Sequence, residues 1–118
     1  MTTLTPEQIK NELAHCTGTE HYYRYGLIKK LLLTDGAKTM AELCGAYWLL
    51  DHIVCYHKGS EFMEVFTLDT TGGEATITHT DGNDNNLRPP HKISFTDFPL
   101  PSITLWLRDG VILLPSEY

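Results

Sequence analysis

Apolar residues in the first half of this chain recur at helical spacing, and those in the second half alternate with polar ones as strands do. Thr5-Pro6-Glu7-Gln8 opens a first helix: Thr5 is a capping residue, Pro6 suits the first helical position, and Gln8 completes a capping box. Ile9, Leu13 and Cys16 give that helix a narrow apolar stripe before Gly18. From Ala37 to His57 the spacing predicts one long helix. Met40, Leu43, Cys44, Tyr47, Leu50, Val54 and Cys55 fall on one broad arc, widened by Ala46 and Ile53, so the helix is expected to be largely buried. Residues 21–34 stay open between helix and strand, because the spacing of Leu27, Leu31 and Leu32 fits one and Leu31-Leu32-Leu33-Thr34 fits the other.

After Glu61 the texture is that of strands. Phe62–Asp69 and Glu74–Thr80 flank Thr70-Thr71-Gly72-Gly73, a hairpin signal, and a third strand is expected over His91–Thr96 with Ile93 and Phe95 inward. Pro99 and Pro101 make "DFPLP" a corner, since proline cannot donate to a ladder. Ile103–Arg108 and Val111–Leu114 form a last hairpin about Asp109-Gly110, a favoured type I′ pair. The expected fold is α+β: N-terminal helices packed on a five-stranded antiparallel meander.

The two-residue turn fixes the pairing: Arg108 opposite Val111, Leu107 opposite Ile112, Trp106 opposite Leu113, Leu105 opposite Leu114. One face then carries Ile103, Leu105, Leu107, Ile112 and Leu114 and belongs to the core. The other carries Thr104, Trp106, Arg108, Val111 and Leu113, where a wet face should be polar. Leaving Trp106, Val111 and Leu113 in water forgoes about 1.5–3 kcal/mol each. Either the N-terminal segment or first helix covers them, or they form a contact patch for a second copy or a foreign partner.

A chain of 118 residues bounds the reading to one domain, with residues 1–59 mainly a helical layer and 60–118 the sheet. The formal net charge of -6 sits in the second half, while the first is balanced. Acidity argues against nucleic acid, whose binders need cations to displace counterions, and suits either solubility or a basic partner. No stretch approaches the ~20 apolar residues of a membrane span. Met1-Thr2-Thr3 begins no signal peptide, and Cys16, Cys44 and Cys55 are an odd number. Reduced thiols in a cytoplasmic protein are therefore expected.

Asp51 falls inside the predicted apolar arc, between Cys44, Tyr47 and Cys55. A carboxylate there needs a partner: Arg24, a hydroxyl from Tyr22 or Tyr23, or backbone amides. It is then either a polar staple or a general acid or base. No helical geometry brings His52 to the Cys44 thiol as a nucleophile would require. No metal-ligand spacing occurs, and His79 and His91, opposite one another if the turn centres near Asn85, make half a zinc site at best. Asp81, Asn83 and Asn85 begin like a calcium loop, but Asn86 stands where glycine is needed and Lys92 where the bidentate glutamate belongs. "HYYRY" has the makings of a stacking surface without a basic groove around it. Neither cofactor nor metal is expected.

"GTEHYYRY", "TDGAKTMAELCGAYWLLDHIVCYH", "TDFPL" and "DGVILLPSEY" together resemble an uncharacterised domain-of-unknown-function family of small proteins from bacteria, phages and mobile elements. The likeness runs over nearly the whole chain. It implies a cytoplasmic α+β domain without assigned activity, and marks Tyr22, Tyr23, Arg24, Asp35, Trp48, Asp51, Asp97 and the end segment as recurrent. The chain departs at Phe66, where that pattern leads one to expect tryptophan. The expected function is a non-enzymatic protein-interaction module, in its narrowest form a mobile-element inhibitor of a host or defence nuclease. The alternatives are a small enzyme built on Asp51 with Tyr22, Tyr23 and Arg24, and a structural domain that self-associates through the terminal hairpin.

Overall fold

The computed structural model describes residues 5–25, 31–57, 63–82 and 85–117. Helix α1 (Pro6–Ala14) begins with the capping box read from the sequence: Thr5 Oγ1 accepts from the Gln8 amide, and Gln8 Oε1 accepts from the Thr5 amide. Strands β1 (Tyr22–Tyr25) and β2 (Leu31–Thr34) follow as an antiparallel pair, so the segment left open is strand on both sides of residues 26–30.

The single helix expected over Ala37–His57 is two helices, α2 (Asp35–Cys44) and α3 (Tyr47–Tyr56). Thr34 starts α2 early, its Oγ1 accepting the Ala37 amide at 3.2 Å. Gly45 stops it in the left-handed region at φ 61°, where a side chain would be strained. The break resets the helical phase, and the arc drawn through both halves no longer holds. In α3 the buried residues are Leu49, Leu50 and Ile53, whereas Tyr47, Cys55 and Asp51 are exposed. None of the described helices is long and apolar enough to cross a membrane.

The remaining strands are β3 (Met63–Thr71), β4 (Glu74–Thr80), β5 (Asn86–Ile93), β6 (Ser102–Arg108) and β7 (Val111–Leu113). The five-stranded antiparallel meander is corrected: among the described residues the sheet is mixed and has seven strands in the order β1-β2-β7-β6-β3-β4-β5, with β2 and β7 parallel. Two physical causes account for the difference. Strand β3 alternates buried and half-buried residues along most of its length and is paired on both edges, by β4 and by β6. The DFPLP corner therefore carries the chain back from the edge to lie beside β3, not beside β5. Strand β5 lies earlier than expected and contains Pro89 and Pro90, tolerable because it is an edge. Phe95, expected inward, lies beyond it and is 82 % exposed.

The terminal hairpin pairs in the expected register from Arg108 with Val111 to Trp106 with Leu113, and Asp109 and Gly110 both have positive φ. The expected pair Leu105 with Leu114 is not formed, because β7 ends at Leu113 and a 3₁₀ turn (Pro115–Glu117) takes over.

The three described α-helices lie on one face of the sheet. Ile9 and Leu13 of α1, Met40 and Ala41 of α2, and Leu49, Leu50 and Ile53 of α3 share one core with Leu33, Phe66, Leu68, Ile77, Leu105 and Ile112. Phe98 and Leu100, at the corner, seal its margin, with Trp48 edge-on to Phe98.

Glu117 ties the end of the chain to the start of α2. Its carboxylate accepts from Thr34 Oγ1 at 2.6 Å, from the Leu114 amide at 3.0 Å and from the Gly36 amide at 3.0 Å. An anion at a helix N-terminus also meets the positive end of the helix dipole. A Cβ at Gly36 would stand 2.5 Å from this carboxyl group. Replacing glycine by alanine in a solvated helix usually stabilises by up to about 1 kcal/mol. Here Gly36→Ala is expected to lower stability by about 1–3 kcal/mol, because Glu117 must give up its bonds. Glu117→Ala should cost a similar amount, and the double variant less than the sum. Urea denaturation of the three proteins measures all of this.

Candidate functional site

The alternation of each strand sorts its side chains between the helical face and the opposite, outer face. On the outer face the pairing aligns Val65, Trp106 and Leu113 in one row. Met63, Arg108, Val111 and Leu32 form the next. None of these side chains belongs to the helical core, although Leu113 is itself buried by its neighbours. An open trough of about 510 Å³ runs beside Trp106 and is lined by Met63, Val65, Thr67, Thr78 and Asp69. The first helix does not provide a cover, since α1 packs on the other side, and residues 1–4 of the N-terminal segment lie outside the described residues. The structure therefore brings Trp106, Arg108, Val111 and Leu113 together as a patch, and extends it to Leu32, Val65 and Met63.

The second predicted cluster does not assemble. Asp51 is exposed and receives its hydrogen bond from the Tyr25 hydroxyl at 2.5 Å, not from Tyr22, Tyr23 or Arg24. Strand alternation explains the miss: Tyr23 and Tyr25 face the helices, while Tyr22 and Arg24 face away and are exposed. Tyr23 instead donates to Asp35 at 2.9 Å. Asp35 also accepts the Glu20 amide, which holds its carboxyl below the usual range, with the Tyr23 and Thr19 hydroxyls contributing. Tyr25 stacks on Tyr47, and burial followed by the Asp51 bond drives its phenol far above the ordinary value. These contacts fasten β1 to α2 and α3. Burial pushes the Cys44 thiol up to about 11, which removes it as a nucleophile at neutral pH.

A third constellation was not legible as a site. Glu64 of β3 and His79 of β4 are buried together, with His79 Nε2 and Glu64 Oε1 at 2.7 Å. The imidazole is stacked on Phe66 at 4.1 Å. His79 also lines a small cavity of about 160 Å³ with His52 and Tyr56 of α3 and Arg88 and His91 of β5. His79 and His91 were expected to sit opposite one another. The register instead sets His91 against Ile77 and Arg88 against His79, and the β4–β5 ladder is irregular on both sides of His79. That two-residue shift keeps both histidines on the helical face. Among the described residues no group of three His, Cys, Asp or Glu side chains has the placement of a metal site.

The description "Family of unknown function (DUF6876)" belongs to the family that matches this chain, over residues 7–118. The chain belongs to DUF6876. No curated protein and no solved structure matches it. The match takes in every described strand and helix of the fold save the first residue of α1. Of the positions the resemblance marked as recurrent, Tyr23, Asp35, Asp51 and Trp48 serve contacts between elements, and Glu117 in the end segment caps α2.

Asp51→Asn should lower stability by about 0.5–1.5 kcal/mol, as one hydrogen bond is weakened. It should also bring the Tyr25 phenol back toward the ordinary tyrosine range. Denaturant melts and an ultraviolet pH titration of tyrosine ionisation check the two effects.

Proposed function

We propose that this member of DUF6876 is a non-enzymatic interaction module that receives a basic protein partner on the outer face of its sheet. The single observation that carries the reading is the apolar band from Leu32 through Val111, Leu113 and Trp106 to Val65, which no described helix covers. A tryptophan amid aliphatic neighbours on a broad open face is the usual composition of a binding hot spot.

Charge selects the partner. Residues 60–118 hold nine acidic side chains against three basic ones. Glu64 and Glu117 are engaged inside the fold. Asp69 lies in the trough lining, Asp81 adjoins Gly82 at its end, and Asp109 occupies the β6–β7 turn. Arg24 and Arg108 also lie on this face, but the chain's net charge of -6 sets a second copy against like charge overall, whereas a cationic surface with an apolar anchor is complementary. The principal extents of the molecule, 39 × 35 × 27 Å, give this face room for the roughly 800 Å² per partner of a standard interface. In its narrowest form the proposal takes the chain to be carried by a phage or other mobile element, to act in the cytoplasm, and to inhibit a host or defence nuclease. The nucleic-acid surface of a nuclease is basic by necessity.

Trp106→Ser tests this. Against a basic protein captured from host lysate, the substitution should weaken binding by about tenfold or more. The stability of the free chain should change by about 1 kcal/mol or less. Binding of the unaltered chain should also weaken with salt. Unchanged capture contradicts the reading, and so does a dimer in sedimentation that Trp106→Ser abolishes, since the occupant would then be a second copy.

A further inference from the structure

The cavity between α3 and the β4–β5 edge has a one-sided chemistry. His52 and Tyr56 enter it from the helix, His79 from β4, and Arg88 and His91 from β5. Each is a hydrogen-bond donor once protonated, or permanently in the case of arginine. The Glu64 carboxylate is already bonded to His79. Among the described residues that line the cavity none is acidic.

The donors are also held in place. Arg88 Nε donates to the Tyr56 carbonyl at 2.7 Å, and its guanidinium lies 5.6 Å from the centre of the Tyr56 ring. Arg88 also lines the cavity, and a guanidinium is a planar fork of donors that suits phosphate and carboxylate oxygens. The His52 ring sits 5.0 Å from His91 and 4.5 Å from Tyr56, with Phe66 edge-on beneath it. The irregular ladder around His79 sets Arg88 opposite it, in keeping with bulges re-aiming side chains at functional edges.

We propose that this cavity is a binding site for a phosphoryl group, free or as the terminal group of a small monoester. A volume of about 160 Å³ is roughly that of five liquid waters, enough for a tetrahedral oxyanion but not for a nucleoside, so an ester would leave its remainder outside. Electrostatics supports the same occupant. Burial, then repulsion from His91, His79 and Arg88, drives His52 down to about 4 from its ordinary 6.5. A histidine so placed binds fewer protons folded than unfolded, so stability is lost as pH falls from 6.5 toward 4. An anion among these groups reverses the repulsion and lets His52 take up a proton while the chain stays folded.

Histidine ring resonances of the intact chain, followed by NMR from acid to neutral pH, test the site. Inorganic phosphate is expected to raise the His52 midpoint by about one unit or more, where sodium chloride of equal ionic strength does not. Arg88→Gln should weaken phosphate binding about tenfold, and His91→Gln gives the same reading should the first variant fail to fold. A nucleoside 5′-monophosphate binding more tightly than phosphate identifies a monoester as the ligand, and equal binding identifies free phosphate. A His52 midpoint indifferent to phosphate overturns the proposal, as do equal shifts with chloride and shifts produced by zinc alone.

Discussion

Glu117 brings the last turn of the chain to the first turn of α2, where one carboxylate accepts from Thr34, Gly36 and Leu114. The two ends of this contact are more than eighty residues apart in sequence. What it secures is the parallel seam between β2 and β7, an arrangement that local turns alone could not hold. With β7 in that register, Ile112 enters the core beside Leu33 and Leu107, and Val111 and Leu113 turn outward beside Leu32 and Trp106. The seam thus closes the core and composes the outer face at once. Its demand on sequence is specific: a side chain at residue 36 would stand where the Glu117 carboxylate lies and would displace its bonds.

The parts of the fold legible in sequence were those fixed by neighbouring residues. Thr5, Pro6 and Gln8 determine the start of α1, and Asp109-Gly110 determines the terminal hairpin and its register. What escaped depended on distant contacts or on one local reading that admitted two outcomes. Thr34-Asp35-Gly36 looks like a turn, yet Thr34 is a helix cap and Gly36 makes room for Glu117. Gly45 lies inside the amphipathic run read as one helix, yet its left-handed conformation ends α2, and Asp51 is exposed. Strand order could not be read, because both edges of β3 are equally good and the choice between β5 and β6 rests on where Pro99 and Pro101 turn the chain.

The candidate patch was legible because alternation is a local property: Trp106, Val111 and Leu113 face outward as the hairpin register requires. The histidine cavity was not, since it joins α3 to β4 and β5 through a ladder whose irregularity falls at Pro89 and Pro90, which mark a bulge without saying which side chains it brings together. The sheet accordingly offers two surfaces of opposite character. Its outer face carries the apolar band, with Asp69 toward β4 and Arg24 and Arg108 toward β1, and is the face proposed above to receive a protein partner. Its inner edge, where three histidines and Arg88 converge, suits a small anion.

The claim on which this account rests is that the outer face is open to solvent in the free chain. Paramagnetic relaxation of methyl groups by a neutral soluble gadolinium chelate measures it directly. Methyls of Leu32, Val65 and Val111 should relax strongly, while those of Leu50, Leu105 and Ile112 stay protected. Protection of the first group equal to that of the second, at every protein concentration, would mean that the chain covers this face itself and would contradict the account.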